Sequence, residues 1–122
     1  MRMDIAAQTD IGKRKTNNED FYGIFREDTP GLQLFDEGAL LCVADGLGGH
    51  VGGEIASKLA VSLAKDVLKE AAPPSTEDPQ EQDEAYLDLL RNTIRRANDT
   101  VHQTNRDHVR RGRPMGTTLL TV

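Results

Sequence analysis

The sequence predicts an α+β fold. Segments of strand composition come first in the 122 residues, two helical segments follow, and one further apolar segment of strand composition comes last. A run of strands before a run of helices is typical of α+β folds rather than of doubly wound sheets. The length suits one small domain.

Five short segments have the composition of strands. The run ALLCVA is apolar at every position, which predicts a strand that is buried on both faces. The last segment, TTLLTV, is apolar and no turn follows it, so we expect the chain to be the first part of a longer domain. Its unpaired backbone groups and apolar face predict self-association through this terminal strand. The five segments are residues 3–9, 20–25, 32–35, 39–44 and 117–122.

Two segments show helical periodicity. The first helix is predicted over residues 53–71 and the second over 82–111, where a glycine and a proline follow. Between them, residues 72–84 are rich in proline and acidic side chains, which indicates a surface loop. The predicted buried stripe of the first helix repeats about every fourth residue; it comprises Ile55, Ala56, Leu59, Ala60, Leu63 and Val67.

The composition excludes several classes of protein. The formal net charge is -5, whereas nucleic-acid-binding proteins usually carry a positive balance, so no nucleic-acid partner is expected. The single cysteine, Cys42, excludes a disulfide framework and suits the reducing cytoplasm. Since no apolar stretch reaches about 18 residues and the start lacks a signal-peptide core, no membrane association is expected.

Three carboxylates are the candidate reactive groups. Glu19 and Asp20 end a polar loop, and Asp45 ends the apolar run. Neighbouring strands could bring Asp20 and Asp45 together, and two carboxylates about 4 Å apart repel by roughly 4 kcal/mol at an effective dielectric of 20. Such a pair is stable if it shares a proton or binds a cation. Hard oxygen ligands favour Mg²⁺ or Mn²⁺.

Glycines surround Asp45. We expect Gly46 to let the backbone turn tightly, so that its carbonyl faces the same ion. The glycines that follow keep side chains away from a bulky anionic substrate, and the predicted helix N-terminus beyond them offers free N–H groups. These glycines are Gly48, Gly49, Gly52 and Gly53.

Four short motifs occur in a specific order. They are 10-DIGKRKTNNED-20, 45-DGLGGH-50, 52-GGEIAS-57 and 115-MGTT-118. Together they resemble the metal-dependent protein serine/threonine phosphatases, also called the protein phosphatase 2C family, in its bacterial-type form. Each motif alone is weak, whereas the ordered set covers most of the chain and is highly specific.

The resemblance implies a fold and a reaction. The fold would be part of a four-layer α-β-β-α sandwich, in which antiparallel sheets are flanked by helix pairs, and residues 1–122 would be its N-terminal half. The reaction would be hydrolysis of phosphoserine or phosphothreonine by a water that bridges two divalent cations, Mn²⁺ or Mg²⁺. The partners implied are a phosphoprotein substrate and a serine/threonine kinase counterpart.

The resemblance also implies residue roles. Asp45 resembles the carboxylate that bridges both ions, and the Gly46 carbonyl resembles a ligand of one of them. Glu19 and Asp20 resemble the acidic pair that holds an ion or its water shell. The phosphate-binding arginine of the family falls at Lys15.

Three departures from the family pattern affect the site. Lysine lacks the bidentate fork of arginine, and the neighbouring Arg14 could substitute for it. In animal members a histidine follows the Asp-Gly pair; here that position is Leu47, and His50 is a candidate general acid or a loop residue. The family's remaining metal-binding aspartates lie in its second half, so we expect the isolated chain to bind metal weakly and turn over little substrate.

Two other functions remain as alternatives. A non-catalytic pseudophosphatase or interaction fragment would share the same motifs. A dinucleotide-binding module is suggested by 46-GLGGHVGG-53 before a helix. Val51 stands where its third glycine belongs, however, and Asp45 would repel a pyrophosphate.

Overall fold

The structure, a computed structural model, describes residues 3–26, 28–29, 38–48, 52–108 and 114–122. It has an α+β fold, as predicted, with two helices packed on an antiparallel sheet. In chain order the elements are β1 (Asp20–Arg26), β2 (Ala39–Leu47), α1 (Gly52–Glu70), α2 (Pro79–His108), β3 (Gly116–Thr117) and β4 (Leu120–Thr121).

Strand β2 is the centre of the sheet. It pairs antiparallel with β1 on one side and with β3 and β4 on the other. One register runs through β3 and β4, because the amide of Thr118 between them donates to the Asp45 carbonyl at 2.9 Å. The Asp45 amide in turn donates to the Thr118 hydroxyl at 3.0 Å. The predicted terminal strand is therefore one strand beside β2. It is interrupted at Thr118, where the side-chain hydroxyl accepts the hydrogen bond that a backbone carbonyl would otherwise accept.

Two other strand predictions have different outcomes. The predicted strand at residues 3–9 is wrong, because this segment has no strand geometry and is largely exposed. It pairs with no described strand, and strand composition without a partner does not form a ladder. The predicted strand at residues 32–35 lies outside the described residues.

Strand β2 is buried on one face only, which contradicts the expectation of burial on both. Leu40, Cys42 and Ala44 are buried against the helices, whereas Val43 and Leu47 on the other face are 56% and 60% exposed. The reason is that the described helices cover a single face of the sheet. Burial raises the pKa of the Cys42 thiol to about 11, so this thiol is protonated at neutral pH.

Helix α1 lies on β1 and β2 through small side chains. Ala56, Ala60 and Ala64 are almost fully buried, whereas Ile55 is 47% exposed. The predicted stripe therefore placed Ile55 wrongly. Alanines allow the helix to approach the sheet more closely than larger side chains would, and this close approach outweighs the preference for burying the larger apolar side chain.

The backbone of α1 approaches the backbone of β2 closely at Gly46 and Gly53. A Cβ atom on Gly46 would lie 1.9 Å from the Gly53 carbonyl oxygen. Gly46 lies inside β2 and has no positive φ, so the expected tight turn at this residue is wrong. Glycine is required there because the backbone of the helix touches the backbone of the strand.

Helix α2 starts three residues before the predicted Gln82, within the segment predicted as a loop. The Asp78 carboxylate accepts a hydrogen bond from the Gln80 amide at 3.0 Å, and Pro79 takes the first helical position. Both features stabilise a helix N-terminus. The predicted end at Arg111 lies outside the described residues.

Helix α2 packs on α1. Its buried side chains at the contact are Thr93 and Ala97, and Arg96 pairs with Glu70 of α1 at 2.9 Å. In the described part of the chain, neither helix has an apolar stretch that is long enough to cross a membrane.

The Gly46→Ala substitution is expected to lower the free energy of unfolding by about 3 kcal/mol or more, because overpacking against backbone cannot be relieved by a rotamer change. Urea denaturation followed by circular dichroism measures the effect. Gly116→Ala is the matched control: its Cβ would meet only the Leu47 side chain, at 3.5 Å. Equal effects of the two substitutions would contradict the proposed backbone contact.

The Asp78→Ala substitution is expected to cost about 1 kcal/mol, since it removes the acceptor that caps α2. Thermal unfolding followed at a helical circular-dichroism wavelength measures the loss. Glu77→Ala removes a neighbouring exposed carboxylate that caps nothing, and it should leave the melting temperature nearly unchanged. A similar loss of melting temperature in both variants would show that the removal of a negative charge near the helix N-terminus, rather than the loss of the cap, causes the effect.

Candidate metal-binding site

The antiparallel pairing of β1 and β2 places Asp20 directly opposite Asp45. The backbone groups of Asp45 face Thr118 on the other side of β2, so Asp20 and Asp45 form a non-hydrogen-bonded pair. In such pairs the Cα atoms are only about 4.5 Å apart and the side chains are closest. The structure therefore brings together two carboxylates that are 25 positions apart in the chain.

The two carboxyl groups influence each other's charge. Loss of hydration beside the neighbouring strand raises the pKa of the exposed Asp20 carboxyl, and Asp45 raises it further through a hydrogen bond and through its charge. The Lys15 ammonium acts in the opposite direction, and Glu19 adds to the rise. Two acids in this position share a proton or need a nearby cation.

Glu19 is not part of this pair. Its side chain lies at the N-terminus of α1, where a Cβ built on Gly53 would be 2.7 Å from Oε1. The positive end of the helix dipole favours a carboxylate there. Its backbone carbonyl accepts a hydrogen bond from the Gly46 amide at 3.0 Å, so Glu19 connects the start of β1 to both β2 and α1.

The polar loop before β1 is held by two hydrogen-bonded turns. The Asp10 carboxylate accepts from the Gly12 amide at 2.7 Å, and Gly12 has a φ of 77°. The Asn18 side chain accepts from the Asp20 amide at 3.0 Å and donates to the Thr9 hydroxyl at 2.9 Å. Together these contacts fix where the loop enters the strand that carries Asp20.

The candidate phosphate-binding residues lie on this loop. Lys15 pairs with Glu19 at 3.6 Å, and its side chain is 60% exposed. Arg14 is exposed beside it. Both cations are therefore exposed, and the charge of Lys15 acts on Asp20 of the acidic pair.

Of the glycines that follow Asp45, Gly48 and Gly52 each occupy a position where a side chain would be unfavourable, for different reasons. Gly48 has a φ of 154°, and a Cβ there would lie 3.0 Å from the Gly53 amide. Gly52 lies against Met115, with its Cβ position 3.3 Å from that of Met115. His50 and Gly49 lie outside the described residues.

Sequence reasoning missed two residues that position the pair. Asn18 orients the Asp20 backbone, and an asparagine two residues before a strand is a signal for such a turn. Thr118 holds the Asp45 backbone by two hydrogen bonds. The second threonine of 115-MGTT-118 marked this position, although its partner could not be known without the fold.

The donor set of the pair suits a hard divalent cation. Both groups are carboxylates on adjacent strands, and such oxygens are the ligands that Mg²⁺ and Mn²⁺ prefer. Within the ranges that the structure describes, no group of three His, Cys, Asp or Glu side chains is placed to hold a metal ion. The pair thus fits as a part of a cation site.

Comparisons with solved structures identify similar proteins. A serine/threonine phosphatase from S. agalactiae has a TM-score of 0.67 and 29% identity over 94% of this chain, which is 41% of that chain. The serine/threonine phosphatase Stp1 from Staphylococcus aureus has a TM-score of 0.65 and 30% identity, and the match covers 92% of this chain and 38% of that chain. The Mycobacterium tuberculosis serine/threonine phosphatase PstP/Ppp has a TM-score of 0.60 and 27% identity, and the match covers 95% of this chain and 40% of that chain.

The chain spans about two fifths of the length of these phosphatases. The comparison with curated proteins found no match. The family model described as protein phosphatase 2C matches residues 17–122. That match includes β1, β2 and both helices, and it shows that the chain belongs to the protein phosphatase 2C family.

Proposed function

We propose that residues 1–122 form the N-terminal part of a metal-dependent phosphatase domain that hydrolyses phosphoserine and phosphothreonine in proteins. The observation that carries the proposal is the Asp20–Asp45 pair, held side by side by the β1–β2 register. Family membership and the phosphatases that share the fold support the reaction class.

In this proposal Asp20 and Asp45 bind divalent cations, Mn²⁺ or Mg²⁺, and the Gly46 carbonyl is a further ligand. Glu19 is tied to α1 and to Lys15, which fits the role of ordering the water shell better than that of a direct ligand. When bound, the cations supply polarisation of phosphoryl oxygens and a lower pKa for the attacking water.

The chain's own residues then orient the substrate. Lys15 and Arg14 attract the phosphate as exposed positive charges on the loop that enters β1, and lysine does so as a point charge. Gly48 leaves room for the phosphate beside the pair. For His50 we propose the role of general acid or of a loop residue. The pH dependence of the hydrolysis rate would distinguish these two roles.

The proposal includes the biological setting. The substrates are phosphoproteins, the kinase counterpart is a serine/threonine kinase, and the reaction takes place in the cytoplasm. The alternative is a non-catalytic member of the family that acts as an interaction fragment.

The Asp45→Asn and Asp20→Asn variants are each expected to weaken Mn²⁺ binding by at least about tenfold, or roughly 1.4 kcal/mol. Isothermal titration of the chain with Mn²⁺ measures the affinity. Asp66→Asn, an exposed aspartate on α1, is the matched control and should bind as the parent does. Unchanged binding in both site variants would exclude the pair as the cation site.

Hydrolysis of a phosphothreonine peptide by the isolated chain is expected to stay near background with Mn²⁺, because no group of three His, Cys, Asp or Glu side chains among the described residues could hold a metal ion. A colorimetric phosphate-release assay measures this. Strong Mn²⁺-dependent turnover that Asp45→Asn abolishes would show a complete site, and would contradict this prediction while supporting the phosphatase assignment.

The Asp20→Asn substitution is expected to raise the melting temperature at pH 7 in a chelating buffer, because it removes one of two facing negative charges. Since the Asp20 pKa is raised in the fold, the protonated form stabilises the fold, and this contribution is lost as the pH rises through the shifted pKa. The gain should disappear below the ordinary value of 3.8. With saturating Mn²⁺ the parent chain should instead have the higher melting temperature, because it keeps both carboxylates that bind the ion.

A further inference from the structure

Asn105, in the last turn of α2, binds the backbone of the segment that leads into β3. Its side-chain Nδ2 donates to the Met115 carbonyl at 2.7 Å, and its Oδ1 accepts from the Met115 amide at 2.9 Å. Both residues are half-buried. Asparagine can form both bonds because one short planar amide carries a donor group and an acceptor. We call these two bonds the Asn105 clamp.

The clamp connects two parts of the fold. The hydroxyls of Thr93, Thr100 and Thr104 on the same helix donate to carbonyls of that helix, four residues earlier. Asn105 instead binds a residue 10 positions later in the sequence. It therefore fixes where the chain returns from α2 to the sheet.

The returning segment has a short backbone ladder where it meets Asp45. Strands β3 and β4 have two residues each, and between them the Thr118 carbonyl accepts from the Thr117 hydroxyl at 2.8 Å. The Asp45 amide donates to the Thr118 hydroxyl at 3.0 Å rather than to a backbone carbonyl. The position of Asp45 thus depends on how firmly this short segment is held.

Two anchors lie on either side of this contact. After it, Leu41 and Val122 share two backbone hydrogen bonds of 2.9 and 3.0 Å. Before it, Asn105 holds the start of the segment. Because both backbone groups of Asp45 bind Thr118, these anchors fix the direction in which the Asp45 side chain leaves β2.

The residue before Met115 makes the clamp specific for one register. Pro114 has no amide hydrogen, so a shift that brought it into the clamp would leave the Asn105 acceptor without a donor. A shift in the opposite direction would break the pairing of Gly116 with Leu47. The clamp and the ladder together favour the observed register, and a shift of one residue would turn the side chains of the segment to the other face.

We propose that Asn105 is a positioning residue for the acidic pair. By clamping Met115 it fixes the segment from which Thr118 holds Asp45. It thereby sets the separation of the two carboxylates that face each other across β1 and β2. The consequence for metal binding rests on the proposed function, whereas the structural role of Asn105 does not.

Amide hydrogen exchange, measured by NMR spectroscopy in a chelating buffer, tests the positioning role without metal. Asn105→Leu removes both bonds with a side chain of similar size. It is expected to speed exchange of the Asp45 and Thr118 amides about tenfold through local opening, while the Val122 amide exchanges as in the parent. Gln103→Leu, at an exposed site on the same helix, is the matched control and should leave all three rates unchanged. Equal acceleration of all three amides by Asn105→Leu would indicate global destabilisation and would overturn the proposal.

A double-mutant cycle separates an action through Thr118 from an independent one. Thr118→Val removes the hydroxyl that accepts from Asp45. If Asn105 acts through this contact, the Asp45 amide of the double variant should exchange no faster than that of Thr118→Val alone. A multiplicative increase in the exchange rate of the double variant would overturn the proposal.

Isothermal titration with Mn²⁺ tests the consequence for the site. Asn105→Leu is expected to raise the Mn²⁺ dissociation constant about tenfold, as the loss of a residue that orients a ligand does, whereas Gln103→Leu should bind as the parent does. Unchanged affinity in Asn105→Leu would overturn the link between the clamp and the metal. A parent chain that does not bind Mn²⁺ would instead overturn the proposed metal role of the pair, and the exchange rates would still decide whether Asn105 positions Asp45.

Discussion

The antiparallel register between β1 and β2 is the constraint on which the site depends. It places Asp20 opposite Asp45 in a non-hydrogen-bonded pair, where side chains approach most closely. A shift by one residue would send one carboxylate to the helix side of the sheet. The register is fixed from both sides, because Glu19 accepts a bond from Gly46 and Thr118 holds Asp45.

A second constraint is the contact between backbone atoms of β2 and α1. Gly46 and Gly53 leave no room for a side chain between strand and helix. This contact places the helix N-terminus beside Glu19 and near the end of the acidic pair. The positive end of the helix dipole then lies where negative charge collects, so packing and electrostatics act in the same direction.

The same layering accounts for both the site and the open face. Two helices cover one side of the sheet, which buries Cys42 and Ala44 and leaves Val43 exposed on the other side. The acidic pair is at the end of the open side.

The sequence by itself determined that the strands β1 and β2 precede two helices and a terminal strand, and it placed helix α1 within one residue at each end. It also placed the candidate residues Asp20 and Asp45 in β1 and β2, although the strand that it predicted over residues 3–9 is wrong. These follow from local composition and from ordered motifs. It did not determine that β2 is buried on one face, because an all-apolar run has no alternation. It also missed the start of α2, because capping by Asp78 outweighed the loop-like composition.

Only the tertiary structure decided which acidic side chains meet. Glu19 and Asp20 are neighbours in the chain, yet strand alternation sends Glu19 toward Gly53 and Asp20 toward Asp45. The tertiary structure also explains the glycine at position 46. Its side-chain position is filled by the helix backbone at Gly53, 7 positions later in the sequence, and no turn is involved. Both outcomes depend on contacts between elements, and residue types alone do not specify these contacts.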